Sequence, residues 1–110
     1  MQRLDQFSFY PRLAEIGGPA LVFFSAAGCG ACRHWKSLLQ DFPATDGMPV
    51  FEVDAGLDPG LARELEVFHL PALFLFIDGE YHRPLQPEAR LPSLRAAIAE
   101  AGALPAGEAP

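Results

Sequence analysis

Apolar residues fall in short runs along the chain, and each run's period predicts an element. Ala20-Leu-Val-Phe-Phe-Ser25 is continuously apolar, β-branched and aromatic. That pattern predicts a central strand buried on both faces. Ala26-Ala27-Gly28 breaks the run. From about Gly30 to Phe42 the apolar residues Trp35, Leu38, Leu39 and Phe42 recur at helical spacing, and Pro43 marks the end of that helix. Pro49-Val-Phe-Glu-Val-Asp54 predicts a second strand. Asp58-Pro59 has the form of an N-cap and a first-turn proline, opening a helix through Leu61, Leu65 and Val67. Ala72-Leu-Phe-Leu-Phe-Ile77 is the most strand-like segment. Asp78-Gly79 after it is a strong hairpin signal, returning Glu80 to Leu85 antiparallel. A short helix from Pro11 to Ile16 precedes these, stopped by Gly17-Gly18. A final helix starts at Pro92, with Leu94, Ile98 and Ala101 on one face and Gly102 near its end. The order predicts an α/β fold: a mixed sheet, half parallel and half antiparallel, covered by helices. One domain takes residues 1–104, and residues 105–110 form a flexible tail.

Composition narrows the possible functions. At 110 residues the chain is one domain's worth, and half of it is hydrophobic. Lys and Arg number 8 against 14 Asp and Glu, a net charge of −6. That balance argues against a nucleic-acid partner or an anionic membrane surface. The uncharged run Ile16–Cys32 is interrupted by glycines and Pro19, and is shorter than the ~20 apolar residues of a spanning helix. The N-terminus has an early acid and no apolar signal region. The expectation is a cytoplasmic monomer with no membrane partner.

The 2 cysteines are too few for a disulfide scaffold or a four-cysteine metal site. They lie at Cys29 and Cys32, at the junction of a buried strand and a helix. A helix N-terminus offers unpaired N–H groups and positive potential, which favour a thiolate. Cys29, nearest the helix start, is then the nucleophile. Cys32, one turn inside, is the resolving thiol that releases a mixed disulfide. A merely structural bridge across so short a loop would contribute only roughly 2 kcal/mol. A metal site would need two further ligands, and His34, His69 and His82 form no second close pair. Redox use is therefore the leading reading. A binding module with incidental cysteines, and a zinc or cluster carrier joining two chains through C-x-x-C, are the alternatives.

The segments Leu21-Val-Phe-Phe-Ser-Ala-Ala-Gly-Cys-Gly-Ala-Cys32, Val53-Asp54, Leu70-Pro71-Ala-Leu-Phe-Leu-Phe76 and the Asp78-Gly79-Glu80 turn together resemble the thioredoxin superfamily. The resemblance runs from about Leu13 to Gly102. It implies a thioredoxin fold, with a central mixed four- or five-stranded sheet flanked by helices. It also implies a cis peptide at Leu70-Pro71 beside the cysteines, with the Leu70 backbone free to pair with an extended substrate. The implied activity is thiol–disulfide exchange with disulfide-containing proteins, through the Cys29/Cys32 dithiol and without a cofactor or metal. The implied supply of electrons is a thioredoxin or glutathione reductase system. Gly28, Gly30, Ala31, Leu70 and Pro71 become the substrate-contacting residues.

Several positions depart from the family. Gly28 stands where a Trp is usual, and Gly30-Ala31 replaces Gly-Pro. Phe23 and Val50 occupy the places of a buried Asp and Lys. Ser37 takes the place of a helix-kinking proline, and Pro87 the place of a loop glycine. Losing both members of a buried charged pair is self-consistent, because one alone would be left unpaired. It also removes the acid that takes a proton from the resolving thiol, so Cys32 is expected to resolve slowly. His69 is read as a loop histidine near the cysteines, and His34 as a solvated helix position. Trp35 is read as packing in or beside the core, and His82 and Arg83 as hairpin decoration. Phe74 and Phe76, alternating with Leu73, Leu75 and Ile77, are assigned to the core. Glu52, Asp54, Asp58, Glu64 and Glu66 are assigned to a solvated face.

Overall fold

A computed structural model describes residues 1–110. Five strands form one sheet: β1 (Gln2–Arg3), β2 (Pro19–Ser25), β3 (Val50–Asp54), β4 (Ala72–Ile77) and β5 (Glu80–Leu85). Their order is β1-β3-β2-β4-β5. The first three are parallel, and β4 and β5 continue antiparallel. Five helices cover the sheet: α1 (Phe9–Ala14), α2 (Gly30–Leu39), α3 (Phe42–Asp46), α4 (Pro59–Glu64) and α5 (Leu91–Ala103).

Strand alternation divides the core into two layers. Val22, Phe24, Phe51, Val53, Phe74 and Phe76 pack with Phe9 and Leu13 of α1 and Leu61 of α4. Leu21, Phe23, Val50, Leu73, Leu75 and Leu85 face the other way, onto Trp35 and Leu39 of α2, Phe42 of α3, and Leu94 of α5. Both faces of β2 and β4 are dry, which is why those strands read as unbroken apolar runs.

The strands β4 and β5 match the sequence expectation residue for residue, and β2 extends it by Pro19. The Asp78-Gly79 turn places both residues at positive φ, 52° and 80°, as a tight hairpin requires. The Asp78 carboxylate accepts from the Gly18 N–H at 2.7 Å, and the Asp78 N–H donates to the Gly18 carbonyl at 2.9 Å. These two bonds tie the hairpin to the start of β2.

The helix boundaries differ from expectation for local reasons. The helix from Gly30 does not run to Phe42. It passes unbroken through Ser37, stops at Leu39, and Phe42 begins α3. Pro43 does not end a helix; it occupies the first turn of α3, where its missing N–H has no partner to lose. Helix α1 starts at Phe9, two residues before Pro11, after a turn in which the Asp5 carboxylate accepts from the N–H groups of Phe7 and Ser8. Helix α4 ends before Val67, because Glu66 turns into the left-handed region at φ 54°. Asp58 does not cap α4 with its side chain; its Oδ1 accepts from the Gln6 N–H at 3.1 Å. Strand β1 was absent from the sequence reading, since two exposed polar residues carry no periodicity. It is held against β3, and next to it the Leu4 N–H donates to the Glu52 carbonyl at 2.8 Å.

After α5 the chain turns back along β5. The Gly107 N–H donates to the His82 carbonyl at 2.7 Å, and the Arg83 Nε donates to the Pro105 carbonyl at 2.8 Å. Within the hairpin, His82 Nε2 lies 2.8 Å from the Ala101 carbonyl, so β5 also holds the end of α5.

A Cβ added at Gly79 would meet the Ala14 Cα at 2.8 Å and the Leu13 carbonyl oxygen at 2.9 Å, both backbone atoms of or beside α1. Gly79→Ala therefore combines an unfavourable φ with a clash that no side-chain motion relieves. Its expected cost is about 2 kcal/mol, read as a fall in Tm of roughly 10 °C. Thermal unfolding followed by circular dichroism checks this, and an unchanged Tm contradicts it.

Candidate active site

The parallel strand β2 delivers the chain to the edge of the sheet, where Ala26, Ala27 and Gly28 turn it into α2. Gly28 adopts φ 79°, a left-handed conformation open to glycine at little cost. Cys29 is the N-cap of α2 in an extended conformation, and its Sγ accepts from the Cys32 N–H at 3.1 Å. The two sulfurs are joined in a disulfide, with Cα atoms 5.2 Å apart. Cys29 is half-buried, Cys32 is buried, and Gly28, Gly30 and Ala31 are exposed around them. One sulfur is thus accessible and lies on the positive end of the helix. The other belongs to the core layer that contains Phe23, Trp35 and Val50.

The start of β4 reaches the same end of the sheet, because Ala72 pairs with Phe24 across β2. The Leu70–Pro71 peptide just before it is cis. Leu70 packs against both core layers, at the seam between them. Pro71, Trp35, Phe68, His69, Tyr81 and Pro87 line a largely apolar groove there. Phe68 is 76% exposed, an aromatic side chain presented to solvent beside the groove. The sequence reading passed over it, and its isolation between Val67 and His69 offered no periodic signal. His69 is exposed at the same groove. His34 is an exposed position on α2, and its Nε2 lies 3.1 Å from the Ala89 carbonyl.

The cysteines and Gly28 do not line that apolar groove; they line a second, polar cleft. Cys29 and Cys32 line it together with Ser25, Arg33, Lys36 and Glu52. Here the assignment of Glu52 to a solvated face is overturned: Glu52 is only 5% exposed. Its Oε2 accepts from the Ser25 hydroxyl at 2.7 Å and lies 3.0 Å from Lys36 Nζ. Its Oε1 lies 3.7 Å from an Arg3 guanidinium nitrogen. Glu52 shares a strand face with Val50, toward α2, and pairs in register with Phe23 on β2. A buried carboxylate is tolerated when it is paired and hydrogen-bonded, and three side chains from three elements supply that. The positions of Phe23 and Val50 are apolar and buried, as the departures from the family required. A buried carboxylate is nonetheless present one strand over, at Glu52. No group of three or more His, Cys, Asp or Glu side chains converges in a way that could hold a metal ion. No helix is long and apolar enough to cross a membrane.

A model of the thioredoxin family matches residues 1–100. The chain belongs to the thioredoxin family. It is a thiol–disulfide oxidoreductase that works through the Cys29/Cys32 dithiol. It is similar to the thioredoxin of Mycolicibacterium smegmatis, with 34% identity over 76 residues, covering 66% of this chain and 68% of that protein. A bifunctional thioredoxin reductase/thioredoxin of Mycobacterium leprae is 29% identical over 75 residues, covering 66% of this chain and 16% of that one. The crystal structure of Chlamydomonas reinhardtii thioredoxin f2 superposes with a TM-score of 0.77 at 19% identity, over 91% of this chain and 94% of that one. The thioredoxin fold that the resemblance implied is therefore the fold present, with five strands.

Ser25→Ala removes a buried hydroxyl that donates to a buried carboxylate. The expected loss is about 1–3 kcal/mol, measured as a lower midpoint in denaturant at an unchanged slope. A midpoint equal to the wild type's contradicts the role given to this hydrogen bond.

Proposed function

We propose that Cys29 attacks a protein disulfide and that Cys32 resolves the resulting mixed disulfide. The observation that carries this is the N–H of Cys32 donating to the Cys29 sulfur at the start of α2. The same donor, with the helix's positive end, would hold a Cys29 thiolate once the pair is reduced. The burial of Cys32 supports the second role, because an enclosed sulfur reaches only its neighbour and not an incoming protein. Electrons balance within the exchange: the substrate disulfide gains two electrons and the Cys29/Cys32 pair becomes a disulfide.

The substrate segment lies in the groove beside Pro71. The exposed Gly28, Gly30 and Ala31 leave room for it to approach Cys29, and the Leu70 backbone is its hydrogen-bonding partner. Phe68 supplies apolar contact area along the same groove. The natural partners on this reading are disulfide-containing proteins and a thioredoxin or glutathione reductase that returns the pair to the dithiol. The similarity to a protein named for both a reductase and a thioredoxin supports the first of these reductases. The protein acts as a monomer in the cytoplasm, where such reductases keep thiols available.

Cys29→Ser should reduce insulin-disulfide reduction to the uncatalysed rate. Cys32→Ser should instead accumulate a mixed disulfide at Cys29, visible by mass spectrometry and cleared by added dithiothreitol. Mixed disulfides that collect at Cys32 in the Cys29→Ser protein would reverse the assignment.

A further inference from the structure

We propose that residues 105–110 are an internal competitor for the substrate groove, a strap that an incoming protein must displace. This rests on the reading of the groove beside Pro71 as the place where the substrate segment lies. The chain leaves α5 after Ala103 and stays against the sheet. The Arg83 Nε donates to the Pro105 carbonyl at 2.8 Å, and the Gly107 N–H donates to the His82 carbonyl at 2.7 Å. Further along the same segment, Pro110 stands among the residues that line the groove, together with Pro71, Phe68, His69 and Pro87.

Strand register explains how the strap reaches that far. Leu73 pairs with Leu85, so β5 ends where β4 begins, next to Pro71. His82 to Leu85 is a stretch of strand about 10 Å long. Gly107 to Pro110 is the same number of residues and spans about 10 Å when extended. A segment fastened at His82 and running beside β5 therefore arrives at the groove. Its composition suits that path. Pro105-Ala-Gly-Glu-Ala-Pro110 has no bulky apolar side chain, and its prolines favour extended backbone. Gly107 lies close against the strand: a Cβ there would meet the His82 carbonyl oxygen at 3.4 Å and the Arg83 Cγ at 3.6 Å.

The strap is held lightly. Its two hydrogen bonds are made on the outer edge of the sheet, where water competes for the same groups, and every residue of it except Gly107 is exposed. A light hold does not shut the groove; it raises the concentration of partner needed to fill it. Cys29 and Gly28 line the separate polar cleft, so the strap leaves the accessible sulfur open to a small disulfide. Competition of this kind acts on KM for a protein substrate. It leaves kcat and the reaction with a small disulfide unchanged, because neither depends on the groove being empty at the start.

The test releases the strap in the full chain. Gly107→Pro deletes the N–H that donates to His82, and Arg83→Met removes the other fastening. In the double variant KM for insulin-disulfide reduction should fall by roughly threefold or more, the scale of one or two net hydrogen bonds. Both kcat and the second-order rate with 5,5′-dithiobis-2-nitrobenzoate should stay within about twofold of wild type. The amide resonances of Phe68 and His69 should shift in the NMR spectrum as Pro110 leaves the groove. If Gly107→Pro fails to fold, Arg83→Met alone, at a half-exposed position, provides the same comparison. Phe68→Ser serves as the control and should raise KM for insulin. Resonances of Phe68 and His69 that do not move overturn the strap and leave the groove's role intact. So does an unchanged KM in the released variant beside a raised KM in Phe68→Ser. A KM unchanged in both means that the substrate does not use the groove, and the reading beneath the proposal falls with it. A small-disulfide rate that rises as much as kcat/KM for insulin also overturns the proposal.

Discussion

Glu52 leaves water on folding, and an unpaired carboxylate there would cost several kcal/mol. The elements around the dithiol meet where that cost is offset. Its partners come from Arg3 on β1, Ser25 at the end of β2 and Lys36 on α2, while β3 supplies the residue itself. A shift of one residue in the β2–β3 register would move Ser25 off this face and leave Glu52 against apolar neighbours. The same register sets the exit of β2, from which the chain turns through Gly28 into Cys29. The position of the accessible sulfur and the pairing of the buried acid are thus consequences of one strand alignment.

Much of the fold was legible because its signals are local and agree with one another. Ala72–Ile77 is apolar at every position, Asp78-Gly79 has the conformational freedom that a tight turn requires, and the returning strand follows. Boundaries were less legible where a residue has two compatible roles. Pro43 is equally at home after a helix or in the first turn of a new one, and only the burial of Phe42 beneath a separate α3 decides between them. Val67 continues the apolar spacing of α4, but the left-handed turn at Glu66 is a backbone event with no periodic trace. The pairing of β1 is carried by backbone bonds of two polar residues.

The site was legible in its sulfurs and not in its acid. The placement of Cys29 and Cys32 between an apolar strand and a helix is a matter of order along the chain. Glu52 belongs to Val50-Phe-Glu-Val-Asp54, where strict alternation assigns Phe51 and Val53 inward and Glu52 outward. That inference assumes one wet face. In this sheet α2 covers the second face, so Glu52 is enclosed, and a lysine one turn beyond Cys32 reaches back to meet it. The cue lay in combining two facts: Val50 and Glu52 share a face, and Val50 was already placed in the core behind the cysteines.

The course of the chain after α5 bears on how the protein behaves in a crowded solution. A sheet's outer strands carry free N–H and C=O groups that can recruit strands from other molecules. At one margin β1 is only two residues long. At the other, β5 contains Pro84, which has no N–H to offer, and Gly107 occupies the His82 carbonyl. Neither margin presents a long, regular ladder to a neighbour. A thiol–disulfide oxidoreductase built this way limits its own recruitment into intermolecular sheets.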